Sequence, residues 1–356
     1  MSKRSMRGLF LLILGVTFIG FLFSVFYTIR HGKYLLILPF GKPAEIIPTG
    51  CACISEKTGN KYNFCYKNPQ NSSVIGKRFD CQHLKILEKF DLVEDVGSFV
   101  DLEDLSKNEE DVVFVSAISD NHFNEAVESL SSLRKFYPNR KYIMYGMELS
   151  NSNAKYFKTL RNVEYRVFNT SEYPKYVNNW FEYRFKPLIL AEVMKEYANI
   201  WWMDAHINVK KPNMTKVLFE EIAVGKSMNK LPSSIILFIP TSHSNFAVLF
   251  PELLNYFPTN SIDLLKSEQR GAQLGANTFY VARTEYTQKI FKWWVLCALD
   301  QTCMSPPEAN IFCHFSENRF DTFARCFRFD QSVLNLLLLN DFQDYHKFYS
   351  QQVIAF

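Results

Sequence analysis

No excess of either charge marks this sequence. Its 40 Lys and Arg face 36 Asp and Glu, and three of the basic residues, Lys3, Arg4 and Arg7, precede the first long apolar run. The rest of the chain is therefore close to neutral, which excludes the basic footprint of a nucleic-acid-binding surface. No C-x-x-C pair occurs among the eight cysteines, which argues against a structural zinc site. There is also no internal repeat and no low-complexity segment. What remains is a 356-residue chain long enough for one large α/β domain with appendages and a sizeable core.

The first thing present is an uncharged run, "LFLLILGVTFIGFLFSVFYT" at residues 9–28. At 1.5 Å per residue it spans about 30 Å, the thickness of a bilayer's hydrocarbon core. It is longer than the apolar part of a cleaved signal, and no small-residue cleavage site follows, so it reads as a single-pass signal anchor behind a tail at 1–8. Asn71, Asn169 and Asn213 open N-x-Ser/Thr glycosylation patterns, and every cysteine lies after the run. Both features favour a luminal or extracellular body behind the anchor, and a luminal one is the layout of a type II protein of the Golgi or endoplasmic reticulum. The cysteines form two even sets, Cys51, Cys53, Cys65 and Cys81, then Cys297, Cys303, Cys313 and Cys326, which fits disulfides within each set.

Residues 29–110 read as an irregular stem with a disulfide-bonded lobe, and residues 111–350 as the main domain. Short apolar runs alternate there with helical periodicity, the pattern of helices covering both faces of a mostly parallel, Rossmann-like sheet. Strands are expected at 112–117, 142–145, 163–167, 200–203, 235–239 and 278–281. Helices are expected at 123–136, 153–160, 186–197, 214–223, 284–299 and 331–339. Trp293 and Trp294 fall on the apolar face of the fifth helix and read as core.

The stretch "NIWWMDAHINV" carries the chemistry. Ligands of open α/β sheets gather beyond the carboxyl ends of strands, where Asp204 would stand. Extended backbone through His206 would put both side chains on one side, with Ala205 turned away. A carboxylate and an imidazole suit Mn²⁺, and a divalent ion neutralises a departing diphosphate.

These residues resemble the D-x-D segment of the glycosyltransferase-A, or nucleotide-diphospho-sugar transferase, superfamily, with His206 where the second acid usually stands. In texture the chain is closest to uncharacterised nematode-type type II membrane families within it. The resemblance covers residues 111–346 and rests on further segments in the expected order. "DVVFVSAISDNHF" resembles the opening strand and nucleotide loop, implying Ser116, Ser119, Asp120 and Asn121 as nucleotide contacts, although such residues also cap helices. "EYRFKPLILAEVMKEY" resembles the helix that turns basic residues toward the phosphates, here Arg184 and Lys186. "GAQLGANTFYVAR" resembles the strand beneath the donor sugar and offers Gln273, Gly275 and Asn277.

"RFDQSVLNLLLLN" resembles the late D-Q-x-x-L-N segment, implying Asp330 and Gln331 near the sugar or acceptor, with Asp330 the carboxylate nearest the reacting carbon. A late third metal ligand falls to His346, or to His314. The resemblance implies a Golgi glycosyltransferase that uses Mn²⁺ or another divalent cation, takes a nucleotide-sugar donor and acts on a glycan or glycoprotein. The alternative is a non-catalytic binding or assembly protein that keeps the fold. A metal hydrolase would need further clustered ligands that the sequence lacks.

Overall fold

The computed structural model describes residues 46–93, 99–105, 109–227, 233–353 and 356. The run at 9–28 lies outside them, and among the described residues no helix is long and apolar enough to cross a membrane. From Ile47 to Phe356 the chain is one compact unit.

Two small antiparallel hairpins come first, β1 (Ala52–Ile54) with β2 (Lys61–Asn63), then β3 (Lys67–Asn68) with β4 (Asn71–Ile75). Disulfides Cys51–Cys65 and Cys53–Cys81 tie them together. This stretch, expected as part of a stem, joins the main core. Tyr66 meets Phe257 and Trp293 edge-on at 5.2 and 5.6 Å, and Asn68 donates to the Pro258 carbonyl at 2.8 Å. The other cysteine set pairs as Cys297–Cys303 and Cys313–Cys326, so all four bridges stay within the two expected sets. Asn71, Asn169 and Asn213 are exposed.

The main sheet has six strands, β5 (Val113–Ile118), β6 (Tyr142–Gly146), β7 (Val163–Val167), β8 (Asn199–Met203), β9 (Ile235–Ser244) and β10 (Ala272–Ala282), in the order β7-β6-β5-β8-β10-β9. The first four are mutually parallel, while β10 runs antiparallel to both β8 and β9. Period-two alternation sends residues to two separate cores. Val113, Val115 and Trp202 join the side covered by helices 185–196, 285–299 and 330–342, and Phe114, Trp201 and Met203 join the side covered by helices 123–136 and 214–227. Burial on both faces is why these strands read as continuous apolar runs.

The helix Glu285–Leu299 starts on Thr284, whose hydroxyl accepts from the Thr287 amide, and buries Trp293 and Trp294. The helix Asp330–Phe342 is buried nearly all round because it lies between β10 and Glu285–Leu299. Where β10 slips register against β9 near Leu274 and Gly275, that helix supplies the missing partners. Asn335 accepts from the Leu274 amide at 2.9 Å and donates to its carbonyl at 2.8 Å, and Gln331 accepts from the Ala276 amide at 3.1 Å.

Candidate active site

β5 leads into connections on one side of the sheet, toward β6 and β7, and its other neighbour is β8. The chain order reverses between β5 and β8, and at such a point the connections diverge and leave a crevice beyond the carboxyl ends of the two strands. A cleft of about 520 Å³ opens there. Ser119, Asn121 and His122 line it from the loop after β5, and Asp204, Ala205 and His206 from the end of β8. Trp180, Phe181, Tyr183 and Phe185 form an aromatic wall that the sequence reading passed over.

The backbone does not stay extended past β8. The Asp204 amide makes the last ladder bond, to the Asn277 carbonyl at 2.7 Å, and a turn follows in which the Ile207 amide donates to the Asp204 carbonyl at 3.0 Å. Asp204 and His206 reach one cleft through that turn and not through strand alternation.

Beneath the cleft lies a charge cluster. Lys186 is buried, and its ammonium stands 3.2 Å from Asp204 Oδ1, 2.9 Å from Asp330 Oδ2 and 2.8 Å from the Ala276 carbonyl it donates to. The Trp202 indole donates to Asp204 Oδ1 at 2.7 Å. Burial alone would lower the ammonium's pKa, but the two carboxylates reverse this and hold it above its ordinary value. Burial pushes Asp330 up to about 6, against the pull of Lys186.

Several expected ligands stand elsewhere. Arg184 is fully buried and turned away from the cleft, donating to the carbonyls of Ala298 at 2.9 Å, Asp300 at 2.7 Å and Gln301 at 2.8 Å, and it pairs with Glu182. No face of its guanidinium is left for a diphosphate. Lys186 likewise serves carboxylates. Asp120 caps the helix Asn151–Lys158, accepting from the Ser150 amide at 3.0 Å and from Asn153 at 2.8 Å, and the Ser150 amide first, then Asn153, hold its pKa low. Ser116 is buried inside β5. Gln273 accepts from Gln331 at its Oε1 at 2.6 Å and donates to the Ser332 hydroxyl at 3.3 Å. Gly275 is tightly packed, since a Cβ there would lie 3.0 Å from Asn277 Oδ1 and 3.3 Å from Ile239. Asp330, expected beside the reacting carbon, is 3% exposed and walled in with Lys186.

The expected third metal ligand is not at the cleft. His346 is exposed, bonds to Asp344 Oδ1 at 2.8 Å and stacks on Tyr345. Its segment bridges through Tyr349 to Leu237 of β9, and β10 lies between β9 and β8. His314 is exposed, in the loop closed by Cys313–Cys326. Among the described residues no three His, Cys, Asp or Glu side chains gather to hold a metal. Asp204, which keeps 19% of its side chain exposed, and His206 therefore fit a divalent ion only in company with ligand oxygens and water.

A family described as "Protein of unknown function (DUF1647)" matches residues 51–191. No curated protein matches the chain. Solved structures similar to it include core-mannan synthase A from Aspergillus fumigatus in an Mn/GDP form, 13% identical over 67% of this chain and 71% of that one, with a TM-score of 0.40. The mannosyltransferase Ktr4p from S. cerevisiae with GDP is 10% identical over 75% and 84%, with a TM-score of 0.38. The galactosyltransferase LgtC with donor and acceptor sugar analogues is 14% identical over 63% and 70%, with a TM-score of 0.34. All three likenesses stand at 14% identity or less and at TM-scores of 0.40 or less.

Proposed function

We propose that the chain is a glycosyltransferase of the secretory pathway, anchored through residues 9–28, that binds a nucleotide-sugar in the cleft beyond β5 and β8 and transfers the sugar to a glycan or glycoprotein hydroxyl. One observation carries this reading. The cleft stands at the reversal of strand order and joins polar groups of the β5 loop, Ser119 and Asn121, to the acid and imidazole that follow β8. The four disulfides support an oxidising compartment.

In this reading Ser119 and Asn121 hold the nucleoside, and Asp204 and His206 face the diphosphate. A divalent ion held by those two would supply positive charge to the leaving phosphate. Lys186 and Trp202 fix the Asp204 carboxylate, so its orientation is set before a ligand arrives.

A binding module that performs no transfer is favoured by one observation, that Asp204 and Asp330 both pair with Lys186 and neither stands free as a base. Nucleotide binding is the first test. A nucleoside diphosphate at ~100 times its dissociation constant should stabilise the full chain by about 2.7 kcal/mol. The proposal expects one base of a panel to do so with Mn²⁺ and Asp204→Asn to lose the effect. No shift with any of them would refute it.

A further inference from the structure

Resting on the reading above, we propose that the Tyr183 hydroxyl is a sugar-recognition group of the cleft, selecting the sugar of the donor by a hydrogen bond while leaving the nucleotide alone. Tyr183 lines the same cleft as Asp204, and among the described residues no hydrogen bond engages its hydroxyl. Its ring centre stands 5.6 Å from the Lys186 ammonium and 6.1 and 6.3 Å from the rings of Phe185 and Phe329. The polar end of the side chain is thus free while its body is fixed.

The backbone at Tyr183 points the same way. It is left-handed, with φ 53° and ψ 21°, and Phe329, immediately before Asp330, has φ 43°. Non-glycine residues hold such conformations only where their surroundings over-determine them. Here both flanks of Tyr183 are committed. Arg184 is fastened to three carbonyls, and Lys186 to two carboxylates and a fourth carbonyl. The two basic residues expected at the phosphates thereby become positioning residues for the phenol.

A phenol donates and accepts one neutral hydrogen bond each, which matches a sugar hydroxyl better than a diphosphate. Phe181 beside it is 74% exposed and offers an apolar face to the sugar's C–H surface. Tyr183→Phe keeps the packed ring and removes only the oxygen. Calorimetric titration of the full chain with GDP, GDP-mannose, UDP and UDP-galactose in the presence of Mn²⁺ separates the contributions. In the variant, affinity for the sugar nucleotide that binds should fall ~3- to 10-fold, the size of one neutral hydrogen bond, while the matching diphosphate binds unchanged. Equal weakening of both forms, or of neither, overturns the inference. A wild type that binds none of the four overturns the parent reading too, a result distinct from the loss of sugar discrimination alone.

Discussion

Lys186→Met removes the ammonium from between Asp204 and Asp330 and puts an apolar chain of similar length in its place. Asp330 is then buried with no opposite charge within reach. Breaking a buried charge cluster by deleting one partner costs ~3–5 kcal/mol, a large part of the ~5–15 kcal/mol by which domains are stable. The loss depends on pH in a definite direction. In the wild type the folded-state pKa of Asp330, about 6, lies above its unfolded value, so the folded state holds the extra proton and stability falls as pH rises toward 6. Without Lys186 that window extends upward, and the deficit of the variant grows by up to ~1.4 kcal/mol for each pH unit above 6 until the carboxyl ionises. Urea unfolding of both proteins, followed by fluorescence of the buried Trp201, Trp202 and Trp294, at about pH 5 and about pH 8 measures this. A deficit below ~1 kcal/mol at the higher pH, or the same deficit at both, would refute the reasoning.

Two further substitutions test the placements around the cleft. Arg184→Met leaves the carbonyls of Ala298, Asp300 and Gln301 without their donor, and the urea midpoint should report a loss of ~2–4 kcal/mol, while any nucleoside diphosphate affinity keeps its salt dependence; a flatter salt dependence with unchanged stability would return Arg184 to the phosphates. Asn335→Ala strips both partners from Leu274 in β10 and should cost ~2–4 kcal/mol in the same assay, with a change under ~0.5 kcal/mol contradicting the clamp.

The sheet was legible because its strands are buried on both faces, so Val113–Ile118, broken only by Ser116, and Ile200–Met203 stand out as apolar runs. The first half of β10 was not, since Ala272–Asn277 pairs through a bulge whose partners come from Gln331 and Asn335 far along the chain. Asp204 was found from its place after a strand, but the turn that brings His206 to the cleft has no glycine or proline to announce it. Arg184 and Lys186 show the limit most clearly. A basic residue at a helix start has the same signature whether it meets a phosphate, a carboxylate or a row of carbonyls, and only burial decides between them. The aromatic wall read as ordinary "NWFEYRF" for the same reason.

The most direct measurement is release of nucleoside diphosphate from a panel of sugar nucleotides by the full chain with Mn²⁺, water standing in for the acceptor hydroxyl, with Asp204→Asn as the comparison. Transfer chemistry in the cleft requires release from one donor above the buffer rate and a fall of ~100-fold or more in the variant. Binding of the same donors without release would contradict it and leave the cleft a sugar-nucleotide binding site.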